Sequence, residues 1–262
     1  MIKINEKAKN IIKKLHNNFY VLSDFDRTIT TSDSLTTWAI LANTNLVSKE
    51  YVNERNLLYN YYRPIEINNN IPFEEKKKLM NEWFEKHLNL FVKYQLQESV
   101  FKKAIVDNQV MKFKEGAKEY LKFLYDNNIP LIIVSAGIGN FIEKFLMVNN
   151  CYYDNIFINA NYIYFKNKTA NLVYPNIIHS LNKDEYQNNE KIKNKINEKK
   201  YVLLFGDQIE DVKMIGSNNN ENVIKIGFLT NHKDLKNFEK TFDIIVDDNE
   251  SYIEILKQLS LI

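Results

Sequence analysis

The chain has 262 residues, 35 basic and 33 acidic side chains, a formal net charge of +2 and 45% hydrophobic residues. That length suits one large domain with an insertion or two modest domains, and the near-balance of charge gives no sign of a nucleic-acid-binding surface, so recognition of phosphate is expected to be local. Cys151 is the only cysteine, which excludes an internal disulfide and a multi-thiolate metal site. It reads as a buried structural residue in a reducing compartment.

The first helical signal is the charged, amphipathic run Glu6 to Leu15, which lacks the apolar core of a signal peptide. No stretch is long and apolar enough to span a bilayer. The expected setting is a cytoplasmic monomer with neither membrane nor nucleic-acid partner.

Phe19 to Ser23 is the first strand-length apolar run, and it ends on Asp24-Phe25-Asp26-Arg27-Thr28. Between Asp33 and Glu115 the pattern turns helical, as in Phe73 to Phe91. This predicts a helical cap over residues 33–115, inserted after the first strand, with residues 1–32 and 116–262 forming the core. Helix-period residues from Gly116 to Asn127 lead to a second strand, Leu131 to Ser135, followed by Ala136-Gly137 and a helix from Gly139 to Val148. Tyr152 to Leu181 is irregular and holds one hairpin strand, Tyr162 to Phe165. Asn182 to Lys200 reads as a solvated helix. Further strands are Tyr201 to Phe205, Val223 to Ile226 and Ile244 to Val246. Asn218 to Asn222 reads as a surface loop. Strands alternating with helices predict an α/β fold, a Rossmann-like, doubly wound and mostly parallel sheet.

In such a sheet the carboxyl ends of the strands line the ligand crevice. Asp24 and Asp26, then Ser135, Ala136 and Gly137, then Gly206, Asp207 and Asp211 would meet there. Two carboxylates two residues apart on extended chain project to one side. One can attack phosphorus, and the other can protonate the leaving oxygen and then deprotonate water. A hard cation on carboxylate oxygens would neutralise the phosphate, and magnesium suits that ligand set. Ser135 and the neighbouring amides could hold phosphate near a helix N-terminus. A strand-end turn explains Asp24 and Asp26 alone equally well, and spacing alone does not select Lys183 from the other lysines.

Together, Asp24-Phe25-Asp26-Arg27-Thr28, Ser135-Ala136-Gly137, a later lysine and Gly206-Asp207 with Asp211 resemble the four ordered motifs of the haloacid dehalogenase-like phosphatases. Tyr61-Tyr62-Arg63-Pro64-Ile65-Glu66, Glu82-Trp83-Phe84, Val110 to Gly116, Ser135 to Gly139, Ile178 to Lys183 and Lys225 to Leu229 look like the pyrimidine 5'-nucleotidase family, also called cytosolic 5'-nucleotidase III. The resemblance implies a Rossmann-like core, a helical cap, magnesium, and hydrolysis of nucleoside 5'-monophosphates through an aspartyl-phosphate. By position it implies Asp24 as nucleophile, Asp26 as acid/base and Lys183 as the neutralising lysine. It implies Asp24, the Asp26 backbone carbonyl and Asp207 as metal ligands, with Asp211 supporting the metal or the lysine. Ser135 and Ala136 would contact phosphate and Glu66 the base, with His87 near it where vertebrate members carry a serine. Trp83, Phe84, Tyr61 and Tyr62 are aromatics from which a stacking partner could come. Arg27 replaces the usual apolar residue, and Ile29 to Asp33 looks closer to phosphoserine-phosphatase-like members. That keeps another small phosphomonoester as the alternative substrate. Asp33 could reach the site or cap a helix.

Overall fold

The computed structural model describes residues 1–68, 70–106, 110–173, 176–184, 190–216 and 220–262. A seven-stranded sheet has the order β1-β9-β8-β7-β2-β3-β4. The strands are β1 (Ile2–Ile4), β2 (Phe19–Ser23), β3 (Leu131–Ile138), β4 (Ile156–Asn161), β7 (Tyr201–Gly206), β8 (Val223–Leu229) and β9 (Ile244–Asp247). A hairpin of β5 (Ile163–Lys166) and β6 (Thr169–Val173) stands apart. All pairings in the large sheet are parallel except β1 with β9. The chain winds outward from β2 through β3 to β4, then returns to the other side of β2 with β7, β8 and β9. The switch point therefore lies between β2 and β7, where such sheets open a ligand crevice.

Alternation along each strand sorts the core into two layers. Phe19 and Val21 of β2, Leu131 and Ile133 of β3, and Leu203 and Phe205 of β7 face the larger cluster. There they meet α1 (Glu6–Leu15), α5 (Ala117–Asp126), α6 (Gly139–Val148) and α9 (Tyr252–Gln258). Tyr20, Leu22, Ile132, Val134, Val202 and Leu204 face the other way, toward α7 (Glu190–Ile196) and α8 (Leu235–Thr241). Covering on both faces is why these strands read as unbroken apolar runs rather than as alternating ones.

Two strands of the large sheet, and β6 of the hairpin, carry no clear sequence signal. β1 is three residues long, and β4 lies inside the stretch read as irregular. The strand expected first is therefore second in the chain. Cys151 is buried, as expected. Residues 185–189 of the expected helix Asn182 to Lys200, and Asn218 and Asn219 of the Asn-rich loop, lie outside the described residues; α7 occupies part of the former.

The helical stretch holds α2 (Lys49–Ile67), α3 (Phe73–Lys93) and α4 (Glu98–Val106). Ser48 caps α2 by accepting from the Tyr51 N–H at 3.2 Å. α2 and α3 pair through Tyr62 to Glu82 at 2.8 Å and Lys93 to Glu54 at 2.6 Å. α4 lies elsewhere: Phe101 stacks on Phe141 of α6, with ring centroids 4.7 Å apart. The β5–β6 hairpin joins this region, since Glu98 N–H donates to the Lys168 carbonyl and Ala170 N–H to that of Leu96. Among the described residues no helix is long and apolar enough to cross a membrane.

Candidate active site

The carboxyl ends of β2, β3 and β7 converge with the loop that carries Lys183. Asp24 continues the β2–β7 ladder by one step, its N–H donating to the Phe205 carbonyl at 3.0 Å. Lys183 Nζ lies 2.5 Å from Asp24 Oδ1 and 2.7 Å from Asp211 Oδ1, and all three side chains are at most 8% exposed. Thr28 Oγ1 stands 3.4 Å from Asp24 Oδ2 and 3.5 Å from Asp207 Oδ1. Asp211 Oδ2 accepts from the N–H groups of Asp207 at 3.0 Å and Gln208 at 2.9 Å. Gly206 makes this possible, because a Cβ there would stand 2.5 Å from the Asp211 side chain.

Asp24, Asp207 and Asp211 can each offer one carboxylate oxygen within 4.8 Å of the others. Burial and the neighbouring carboxylates drive the Asp207 carboxyl well above its usual range. Burial raises Asp24 as well, against the opposing pull of Lys183. Burial alone would lower Lys183, but Asp211 and Asp24 outweigh it and hold the ammonium charged. Three buried carboxyls against one buried ammonium can ionise together only with further positive charge beside them, so the donor set fits a divalent cation. Asp211 already serves Lys183 and two backbone amides, which leaves Asp24 and Asp207 the freer oxygens.

The Asp26 side chain is anchored by Thr37. Its carboxylate accepts from Thr37 N–H at 3.2 Å and Thr37 Oγ1 at 3.1 Å. Burial, with the charge of Asp24, pushes it up to about 7. Ser135 Oγ accepts from Gly137 N–H at 2.9 Å. Thr37 Oγ1 also accepts from Ile138 N–H at 3.0 Å, and a Cβ on Gly137 would stand 2.3 Å from it, so Asp26, Thr37 and the turn after Ser135 form one packed unit.

Ala136 marks the border with α2 and α3. It packs against the cluster of Tyr62, Met80, Trp83 and Phe84, and its carbonyl accepts from Trp38 Nε1 at 2.9 Å. Trp38 stacks at a tilt over His87, 4.5 Å between centroids, and meets Phe84 edge-on at 5.0 Å. His87 is buried with Nε2 unpartnered, and burial lowers its imidazole to about 3. Glu66, at the end of α2, pairs with Arg63 and lies 3.5 Å from Ser180 Oγ on the Lys183 loop. Tyr61 points outward at 63% exposure, whereas Tyr62 is buried and stacks on Trp83.

The structure thus brings Asp24, Asp26, Ser135, Ala136, Lys183, Asp207 and Asp211 to one crevice, with Glu66 beside the Lys183 loop and His87 behind Trp38. Asp33 neither reaches the crevice nor caps a helix: it is exposed and pairs with Lys112 at 3.5 Å. Arg27 occupies a left-handed turn with φ of 66° and faces solvent, which is why a charge is tolerated there. Thr37 and Trp38 escaped the sequence reading. Their only signal was a Thr-Trp pair in an irregular stretch eleven residues beyond the acidic motif.

Comparison with known proteins bears on this arrangement. The pyrimidine 5'-nucleotidase (UMPH-1) family profile matches residues 20–261. The 7-methylguanosine phosphate-specific 5'-nucleotidase of Homo sapiens is 31% identical over 241 residues, covering 88% of this chain and 80% of that protein. Among solved structures, cytosolic 5'-nucleotidase IIIB bound to cytidine superposes with a TM-score of 0.88 at 24% identity, over 99% of this chain and 93% of the other. A substrate-bound phosphoserine phosphatase has a TM-score of 0.57 at 19% identity, over 92% and 97%. The chain therefore belongs to the pyrimidine 5'-nucleotidase family, on a haloacid dehalogenase-like α/β fold, and is a phosphoric monoester hydrolase of the 5'-nucleotidase type.

Proposed function

We propose that this protein hydrolyses pyrimidine nucleoside 5'-monophosphates to nucleoside and phosphate, in the cytoplasm, with Asp24 as the covalent phosphoryl acceptor. The observation that carries the reading is Lys183 Nζ, buried 2.5 Å from Asp24 and 2.7 Å from Asp211 at the switch point of the sheet. A lysine fixed there meets the charge of a phosphoryl group arriving at Asp24.

In this reading Asp24 attacks phosphorus, and Asp26 gives its proton to the departing 5' oxygen. Asp26 then takes a proton from the water that cleaves the aspartyl-phosphate, so one residue closes the cycle. Thr37 fixes that carboxyl in place. Ser135 and the backbone at Ala136 hold phosphate oxygens. Magnesium, held by Asp24, Asp207 and the Asp26 carbonyl, supplies charge neutralisation when bound. Asp211 holds Lys183 and the turn after Gly206. Residues 33–115 act as the cap, in which Glu66 accepts from the base and His87 with the aromatic cluster shapes its site.

A second base is favoured by a specific observation. The human relative is named for 7-methylguanosine phosphate, and the Trp38 ring, backed by His87, is a face on which a cationic methylated purine could stack. A phosphate-release screen with CMP, UMP, AMP, GMP, 7-methyl-GMP, phosphoserine and sugar phosphates separates the readings. CMP and UMP are expected to rank high. Asp24→Asn is expected to lower the rate on the order of 10^4-fold. Equal activity in Asp24→Asn would overturn the covalent mechanism, and preference for phosphoserine would overturn the nucleotide.

A further inference from the structure

We propose that Asn161 is a positioning residue that sets the phosphate-holding turn and the lysine loop at a fixed distance from each other. The inference rests on the phosphoryl-transfer reading of the site, though not on which nucleoside is the substrate.

Asn161 is the last residue of β4, and it is 1% exposed. Its Nδ2 donates one hydrogen to the Ile178 carbonyl at 2.8 Å and the other to that of Ala136 at 2.8 Å, with the Gly137 carbonyl at 3.2 Å as a shared, longer acceptor. Its Oδ1 accepts from Ile178 N–H at 2.9 Å. One carboxamide therefore grips two chain segments that share no strand. The amide orientation follows from its partners: turned over, the oxygen would face three carbonyl oxygens.

The strand register explains why the carbonyls need this partner. Val134 pairs with Asn159 and Ile138 with Asn161, so three residues of β3 stand opposite one of β4. Ser135, Ala136 and Gly137 bulge from the ladder, and a bulge leaves backbone groups to be satisfied elsewhere. Asn161 supplies the donors for two of those carbonyls, and Trp38 supplies a second donor to Ala136.

On the other side, Ile178 opens the segment that ends at Lys183. Asn182 extends the bracing: its Oδ1 accepts from His179 N–H at 2.7 Å and its Nδ2 donates to the Ile177 carbonyl at 2.8 Å. The loop is thus hydrogen-bonded within itself and tied to the sheet through Asn161. A phosphoryl group touching both Ser135 and Lys183 requires that separation to be set before it binds. Mispositioning by about an ångström at such a site costs on the order of 100-fold.

The test uses the full chain and the monoester that the wild-type protein hydrolyses best. Asn161→Asp keeps the shape and the acceptor for Ile178 N–H but removes the donors; Asn161→Ala removes both. The control is Asn155→Ala at the opposite end of the β4 edge, where the side chain donates to the Ile129 carbonyl at 2.7 Å. All are assayed below their unfolding temperatures after near-UV circular dichroism shows native packing.

Both Asn161 variants are expected to lose about 100-fold in kcat/KM, mostly in kcat, while Asn155→Ala stays within about threefold of wild type. In a Lys183→Ala background the further cost of Asn161→Ala is expected to shrink to about threefold, because the residue acts through that lysine. The inference is overturned by a folded Asn161→Asp protein within about threefold of wild type. An undiminished cost in the Lys183→Ala background overturns it too, as does failure of both variants to fold, which would make Asn161 a stability residue. A wild-type protein that hydrolyses no monoester would instead sink the reading of the site itself.

Discussion

The strand ends and the α2–α3 pair differ in how their buried polar atoms are satisfied. At the strand ends, Asp24, Asp26, Lys183, Asp207 and Asp211 all have partners. On and against α2 and α3, by contrast, Arg55 Nε, Trp83 Nε1, His87 Nε2 and His179 Nε2 are buried without one among the described residues. Leaving a buried donor unpaired costs about 1–3 kcal/mol. The contrast is one of completeness: the strand-end cluster is satisfied by its own residues, whereas the aromatic side keeps buried nitrogens that the fold itself does not pair.

Three measurements break or sharpen that contrast. The largest effect is expected from metal at the strand ends. Mg2+ at about 100 times its dissociation constant should stabilise the protein by about 2.7 kcal/mol, a rise in Tm of roughly 5–10 °C by scanning calorimetry. Asp207→Asn should abolish most of that rise, and an unchanged rise would place the ion elsewhere. Next is Glu66→Ala. It should lower discrimination between CMP and base-free ribose 5-phosphate by about tenfold, with turnover of the latter hardly changed; equal losses on both would make Glu66 structural.

The smallest effect concerns pH. Burial lowers His87 to about 3 and His179 to about 4, from an ordinary 6.5. The unfolded chain therefore binds more protons below pH 6.5, so stability is fully present above that pH and falls as pH drops toward 4 and 3. Each imidazole should cost about 1.4 kcal/mol per pH unit in that window. His87→Leu should flatten the fall of denaturation midpoint between pH 6.5 and 5, and an equally steep fall would show that His87 is not buried neutral.

The contrast also accounts for what was legible in the sequence. β2, β3, β7, β8 and β9 could be read because strands covered on both faces are continuous apolar runs, and their exits because Asp24, Ser135 and Gly206 stand where each run stops. α6 was readable to the residue. β4 was not, since Asn159 cuts its apolar run to three residues and Asn161 ends it with a polar side chain whose partners lie in two distant segments. Thr37 and Trp38 were hidden for a related reason: they act from irregular backbone, where neither period applies. Lys183 could be placed only by resemblance, because its environment is assembled from residues 159 and 28 positions away.

β1 bears on how the molecule behaves among its own copies. It lies antiparallel along Ile244, Ile245 and Val246, and it is fastened by Lys3 to Glu239 and by the amino group of Met1 to Asp247. Without those few residues the outer margin of β9 would be an open row of backbone donors and acceptors on a β-branched apolar segment, the kind of margin on which chains add to one another. A strand too short to be seen in the sequence thus covers that margin, and damage to it should surface as aggregation while the chemistry between β2 and β7, at the middle of the sheet, stays intact.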